Sequence, residues 1–150
     1  MGGIWERFDK SVIRNTAKET ELINTIKFDE KGLISVIAQD VNTGEVLMFA
    51  WMNRESLKQT LDTGFMTYWS RSRQKLWVKG ETSGNVQKVR ETYIDCDGDC
   101  LLFKVEPKGI GAACHEGYRS CFFRTINPPD GTFSLCGEKL FEPENVYKNK

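Results

Sequence analysis

The chain has 150 residues, and its 21 basic and 21 acidic side chains give a formal net charge of zero. This length suits one domain with its own core, and the balanced charge excludes a general attraction to nucleic acid or anionic membranes. Because no apolar run reaches about 20 residues and the polar start lacks the apolar segment of a signal peptide, we expect a cytoplasmic protein with neither membrane nor nucleic-acid partners.

Short β-rich runs alternate with turn residues along the chain, and one helix is clear. Runs over residues 33–39 and 45–51, separated by Asn42-Thr43-Gly44, predict a hairpin. Asn53 predicts the cap of a helix over residues 53–63 that ends at Gly64. Further strands are predicted over residues 65–70, 76–79, 86–94, 99–105, 120–126 and 132–135.

This order predicts a mainly β (α+β) fold built on a folded mixed or antiparallel sheet of barrel-like form. We expect a single domain over residues 1–150. Its first 20 residues form a poorly defined segment, in which a helix from about Asp9 and a frayed arm fit equally well.

Three carboxylates alternate along Asp95-Cys96-Asp97-Gly98-Asp99. On a strand, Asp95, Asp97 and Asp99 would share one face while Cys96 projects from the other. A hard divalent cation such as Mg²⁺ would relieve their repulsion. An EF-hand is disfavoured because Gly98 stands fourth instead of sixth, and a solvated turn is the plain alternative.

The five cysteines cannot all pair, and without an export signal they suit metal binding or packing better than disulfides. Cys96, Cys114 and Cys121 stand among polar and glycine residues, so we predict that they bind Zn²⁺. Cys100 and Cys136 have leucine neighbours and are predicted to pack. Three thiolates leave an open metal position, where zinc activates water.

The only histidine of the chain, His115, lies between two of the predicted zinc ligands. Imidazole exchanges protons near neutral pH, so we predict that His115 is catalytic. Two clusters rich in arginine, serine, threonine and glycine, over residues 68–73 and 76–85, have the groups from which phosphate cradles are made.

These features together resemble the phosphoribosyl-AMP cyclohydrolase family, whose members open a purine ring in the third step of histidine biosynthesis. The resemblance runs from about residue 33 to about residue 147. It includes residues 44–48, 50–53 and 76–77, Tyr68-Trp69-Ser70-Arg71-Ser72-Arg73, Lys79-Gly80-Glu81-Thr82-Ser83-Gly84, Asp95-Cys96-Asp97, Asp99, Ala113-Cys114-His115, Arg119-Ser120-Cys121-Phe122 and Gly137-Glu138-Lys139-Leu140-Phe141.

The resemblance implies one Mg²⁺ per subunit on Asp95, Asp97 and Asp99, and one Zn²⁺ per subunit on Cys96, Cys114 and Cys121. It implies a cytoplasmic homodimer with a barrel-like sheet and zinc ligands drawn from both subunits. The chain is similar to a stand-alone form, without the helical pyrophosphohydrolase domain that many relatives carry.

The implied reaction is hydrolysis of the N1–C6 bond in the adenine ring of 1-(5-phosphoribosyl)-AMP by zinc-activated water, which gives the phosphoribosyl-formimino carboxamide product. In this scheme His115 relays a proton. The substrate is expected to contact Trp69, Arg71, Arg73, Lys79, Thr82, Ser83 and Arg119.

Two other functions stay open from the residues alone. A non-catalytic zinc module could bind a protein or RNA through aromatic and basic strands, and would have a fourth protein ligand on zinc. A redox role for the thiols is disfavoured because the chain has no Cys-x-x-Cys.

Overall fold

The computed structural model describes residues 16–127 and 129–146, which contain three helices and eight strands. In chain order these are α1 (Thr16–Thr25), β1 (Ile34–Asp40), β2 (Val46–Met52), α2 (Arg54–Thr63), β3 (Thr67–Ser70), β4 (Lys75–Val78), β5 (Gln87–Ile94), β6 (Cys100–Pro107), β7 (Arg124–Asn127), β8 (Thr132–Leu135) and α3 (Pro143–Val146). The predicted helix start at Asp9 lies outside the described residues.

Four strands form the main sheet in the order β2-β1-β6-β5. Strand β1 pairs antiparallel with β2 and parallel with β6, and β6 pairs antiparallel with β5. The predicted mixed sheet and mainly β character are therefore confirmed. The predicted barrel is wrong for the described residues, because β2 and β5 are open edges that do not pair with each other, and β3–β4 and β7–β8 form separate two-stranded ribbons.

The core lies on one face of the main sheet, beneath α2 and β3. Alternate residues of β1 are buried while those between them are half exposed, as the two-residue period of a strand requires. Leu57 and Leu61 of α2 cover this face one helical turn apart. Full burial of each such leucine contributes about 1.5–3 kcal/mol. Fully buried partners from the strands are Val36, Ala38, Leu47, Met52, Tyr68, Phe103 and Val105.

Helix α2 begins and ends as predicted. The Asn53 side chain accepts a hydrogen bond from the Ser56 backbone N–H at 2.8 Å, and the Ser56 hydroxyl oxygen accepts one from the Asn53 N–H at 2.8 Å. This reciprocal capping box satisfies two amides that the first turn leaves free. Gly64 ends the helix with a φ of 81°, and its N–H donates to the Thr60 carbonyl.

No helix within residues 16–127 and 129–146 combines the length and apolar character needed to cross a bilayer.

Candidate active site

An open cavity of about 600 Å³ lies between the β3–β4 ribbon, the turn after β4 and a loop over residues 113–121, which we name the ligand loop. This volume falls in the range of small-molecule sites. Six of the predicted site residues line the cavity: Arg73, Lys79, Thr82, Ser83, His115 and Cys121.

Backbone hydrogen bonds fold the ligand loop back on itself. The Ala113 N–H donates to the Arg119 carbonyl at 3.1 Å, and the Cys114 N–H donates to the Tyr118 carbonyl at 3.0 Å. Gly117 allows this tight return, because its φ is 98° and a Cβ there would lie 2.0 Å from the Phe141 carbonyl oxygen. The two cysteines of the loop are brought together although six residues separate them.

The end of the ligand loop is anchored to β2. The Cys121 N–H donates to the Leu47 carbonyl, and the Ser120 hydroxyl donates to the Val46 carbonyl, each at 2.7 Å. These residues are held by single hydrogen bonds to β2 and do not pair as a strand. The strand predicted over residues 120–126 therefore begins only at Arg124, and the prediction is wrong for residues 120–123.

The side chains of Cys114 and Cys121 lie close enough for each to shift the pKa of the other. Hydrogen bonding from the Cys121 thiol, helped by the Glu116 N–H at 3.4 Å, lowers the pKa of Cys114 to about 6. The same interaction, together with burial, raises the pKa of Cys121. Two neighbouring sulfurs are a donor pair that suits a thiolate-preferring cation such as Zn²⁺.

Cys96 lies elsewhere in the same chain. Its side chain is exposed in the turn between β5 and β6. Across the described ranges, Asp95, Asp97 and Asp99 are the one group of three metal-binding side chains whose ligand atoms cluster closely enough for a single ion. The fold of this chain thus does not bring Cys96 to the Cys114–Cys121 pair.

The acidic residues form a turn, which corrects the prediction that they alternate along a strand. The Asp95 carboxylate accepts hydrogen bonds from the Asp99 and Cys100 N–H groups at 3.0 and 3.3 Å. Gly98 takes a φ of 75°, which a strand does not allow.

The acidic turn nevertheless gathers the three carboxylates within 4.8 Å of one another. A hydrogen bond with the Asp95 side chain, and then the negative charges of Asp95 and Asp97, raise the pKa of Asp99. This crowding of negative charge is what a divalent cation would relieve.

His115 follows Cys114 directly, and its exposed side chain lines the cavity. The imidazole therefore lies on the cavity wall next to the cysteine pair. Arg73, Thr82 and Ser83 line the same space from the β3–β4 ribbon and the turn after β4.

Three predicted substrate contacts lie outside the cavity lining. The guanidinium carbon of Arg71 lies 4.7 Å from the centroid of the Trp51 ring. Trp69 is paired with Leu76 between strands β3 and β4. Arg119 donates to Glu45 at 3.0 Å and lies 3.6 Å from the buried Asp40. That pairing fastens the ligand loop to the β1–β2 turn.

Sequence reasoning did not single out several residues that line the cavity. Ser70, Ser72 and Lys75 belong to this group, and the first two lie inside the motif that suggested phosphate binding. Met48 also lines the cavity; it belongs to residues 44–48 of the family resemblance, but its apolar side chain does not by itself indicate a site. Of the two cysteines predicted to pack, Cys100 is half-buried, whereas Cys136 is exposed and does not pack.

Comparison with known proteins gives a consistent result. A family model described as phosphoribosyl-AMP cyclohydrolase matches residues 48–123. The chain is 54% identical over 136 residues to a protein of that name from Chlorobium phaeovibrioides, covering 91% of this chain and 97% of the relative. It is 57% identical over 125 residues to one from Methanococcoides burtonii, covering 83% of this chain and 98% of the relative.

Proposed function

The chain belongs to the phosphoribosyl-AMP cyclohydrolase family, enzymes of histidine biosynthesis, and from this we propose that it hydrolyses the N1–C6 bond of the adenine ring in 1-(5-phosphoribosyl)-AMP with zinc-activated water. The product is the phosphoribosyl-formimino carboxamide. The observation that carries the proposal is the loop that folds back to bring Cys114 and Cys121 together beside a cavity of substrate size.

Cys114 and Cys121 supply two of the thiolates for zinc, and Cys96 supplies the third. When bound, zinc lowers the pKa of water enough to provide the attacking nucleophile at neutral pH. The protein's part is to exclude a fourth side chain and to hold the two sulfurs of the ligand loop in place. The anchoring of Cys121 to β2 supports this role.

His115 transfers the proton that ring opening requires. Its imidazole lines the cavity beside Cys114, and this position supports a role in moving protons within that cavity. Arg73, Thr82 and Ser83 hold the phosphate groups, because guanidinium and hydroxyl donors on one wall of the cavity suit an anionic ligand.

Mg²⁺ binds to Asp95, Asp97 and Asp99. The close approach of three carboxylate oxygens supports this assignment, since hard oxygen ligands suit Mg²⁺. The ion would place a phosphate or ribose oxygen of the substrate.

The active form is a cytoplasmic homodimer whose zinc ligands come from both subunits. Two observations support a second copy: Cys96 is exposed and apart from the cysteine pair, and the β7–β8 hairpin presents apolar side chains to solvent. Those side chains are Ile126, Phe133 and Leu135, which are 74%, 65% and 64% exposed. A second copy would cover them.

Metal analysis with substitution of the cysteines tests the function. We expect one zinc per subunit, loss of ring opening on chelation, and recovery when zinc is added back. Cys114→Ser should lose zinc and activity together, whereas Cys136→Ser, at an exposed cysteine outside the cavity, should keep both. Full activity in protein verified to be free of zinc would contradict the proposal.

A further inference from the structure

The arm of the ligand loop that leads into Cys121 runs beside the start of β2. Residues 119, 120 and 121 of the arm each make a hydrogen bond to the residue at the matching place in the range 45–47. In the second and third bonds the acceptor is a backbone carbonyl of β2. The first bond joins two side chains, because the Arg119 Nε donates to the Glu45 carboxylate at 3.0 Å. Position 119 is therefore where charged side chains contribute to the register of the loop on β2.

The same guanidinium faces a buried carboxylate. Asp40, the last residue of β1, is only 3% exposed. One of its carboxylate oxygens accepts from the Asn42 and Thr43 N–H groups at 2.8 and 3.1 Å, and the other lies 3.6 Å from the Arg119 Nη2. In the part of the chain that the structure describes, no other basic side chain lies within 4.0 Å of Asp40. Because a buried charge needs a partner, Asp40 constrains where Arg119 can lie.

Both cysteines of the ligand loop depend on this arm. Cys121 lies two residues after Arg119 on the arm itself. The opposite arm, which carries Cys114, is held to the first by the bond from the Ala113 N–H to the Arg119 carbonyl at 3.1 Å. The Arg119 side chain, by contrast, is not part of the described lining of the cavity. A shift at position 119 would therefore reach the two sulfurs through the backbone without touching a ligand in the cavity.

We propose that Arg119 is a positioning residue for the metal-binding cysteines, which fixes the ligand loop on the β1–β2 turn through Glu45 and Asp40 instead of contacting the substrate. The inference rests on the proposed zinc function. A guanidinium suits the task because its planar fork donates toward two carboxylates at once, whereas an ammonium is a single point charge. Groups that orient the ligands of a metal affect its affinity by about 10- to 100-fold.

Zinc affinity measured by competition with a chromophoric chelator tests this role separately from catalysis. Arg119→Lys keeps a positive charge beside Asp40 but cannot span both carboxylates, so it should fold and bind zinc about 10-fold more weakly than the wild type. Arg119→Met, which removes the charge, should lose about 100-fold. Lys58→Met, which removes an exposed ion pair with Asp62 on α2, is the matched control and should bind zinc as the wild type does. Thermal unfolding verifies that each variant is folded.

A double substitution tests whether the buried carboxylate is the cause. Asp40→Asn removes the charge that Arg119 compensates. In this background Arg119→Met should therefore lose less zinc affinity than it loses in the wild type, because the two side chains act as one unit. Equal losses in both backgrounds would contradict the pairing.

Steady-state kinetics with zinc in excess distinguish positioning from substrate binding. We expect the KM of Arg119→Lys for the substrate to stay near the wild-type value, and its kcat to rise toward the wild-type value as zinc saturates the site. Wild-type zinc affinity in folded Arg119→Lys overturns the inference, and this variant decides the case if Arg119→Met does not fold. A raised KM at saturating zinc also overturns it, because Arg119 would then contact the substrate. Neither result affects the proposed function, which fails instead if the wild-type protein does not bind zinc.

Discussion

At the scale of single residues, the arrangement of Cys114, His115 and Cys121 separates two tasks. The loop brings the two cysteines together, while the intervening histidine is exposed on the cavity wall. Under the proposed function, the imidazole would be available to the substrate while the cysteines bind the metal.

Substitution of His115 tests this separation. In His115→Ala, we expect zinc content to stay at the wild-type level while kcat falls by about 10²- to 10⁴-fold, the usual contribution of a general acid–base group. Zinc is measured by atomic absorption, and kcat by product formation. Glu116→Gln, at the exposed neighbouring position, should keep most of the activity. Loss of zinc from His115→Ala would assign the histidine a structural role.

Arg119 illustrates what the chain order of residues does not show. The family resemblance implies a substrate contact for Arg119. In the structure its guanidinium pairs with Glu45 and Asp40, which are more than 70 positions earlier in the sequence. Local motifs identify a residue's chemical capacity. Which partner it meets depends on the fold.

At the scale of elements, the turn from β4 to β5 forms the wall of the cavity that bears Thr82 and Ser83. Gly80 begins this turn with a φ of 85°, and a Cβ on it would lie 2.3 Å from the Val86 backbone nitrogen. The turn therefore closes against its own backbone, and only glycine fits there.

Two glycines of this turn make a matched pair for measurement. Gly80→Ala should lower the free energy of unfolding by more than about 2–3 kcal/mol, because the backbone strain is added to a clash that nothing can relieve. Gly84→Ala has a similar φ of 81° but meets no atom within 4 Å, so it should cost only about 1–2 kcal/mol. Urea unfolding of both variants provides the comparison. Equal losses would show that the steric contact is not what selects glycine.

The pairing of β5 with β6 includes an ionic contact that depends on pH. The Glu106 carboxylate accepts from the Arg90 guanidinium at 3.0 Å and lies 3.1 Å from the Lys108 ammonium. These two partners, Arg90 first, lower the pKa of Glu106 in the folded protein.

Since the folded pKa is lower than the unfolded value of about 4.3, this carboxylate stabilises the fold above that pH and stops doing so as the pH falls through the folded pKa. We expect Glu106→Gln to be less stable than the wild type at pH 7. The difference should shrink on acidification to about pH 3. Urea unfolding at both pH values measures it, and a difference independent of pH would contradict the ionic explanation.

Local signals predicted some elements well. The cap at Asn53 and the stop at Gly64 depend on neighbouring residues only, so α2 was located correctly from sequence. Alternation from Asp95 to Asp99 also fits a strand, but the carboxylate of Asp95 captures backbone amides and Gly98 reverses the chain. The sequence predicts that the three carboxylates lie together because they would share one face of a strand. In the structure they lie together because the chain turns.

At the scale of the whole molecule, most of the strands could be predicted, but their arrangement could not. Periodicity identifies a strand and its buried face, yet it does not specify which strands pair. A closed barrel and the observed open sheet have the same alternation of buried and exposed residues. The candidate metal ligands follow from their chemistry, whereas the position of Cys96 apart from the other two thiols of the same chain follows only from the fold.

This separation makes the shared zinc site testable by mixing two inactive variants. Cys96→Ser retains the pair on the ligand loop, and Cys114→Ser retains Cys96. Refolding the two together should therefore restore about a quarter of the wild-type zinc content and activity through mixed dimers. Mixing Cys114→Ser with Cys121→Ser should restore neither, because both changes damage the same pair. Failure of the first mixture to recover zinc would contradict a site shared between subunits.

The parallel contact of β1 with β6 joins positions 35 and 100 at the centre of the sheet. Bringing such distant parts of a chain together is entropically costly, and proteins dominated by remote contacts fold slowly. The β1–β2 hairpin can form early during synthesis, but the second edge of β1 has no partner strand until β6 has been synthesised. During synthesis the chain therefore exposes the edge of an apolar strand, which is prone to aggregate. We expect expression at low temperature or with chaperones to increase the yield of native enzyme.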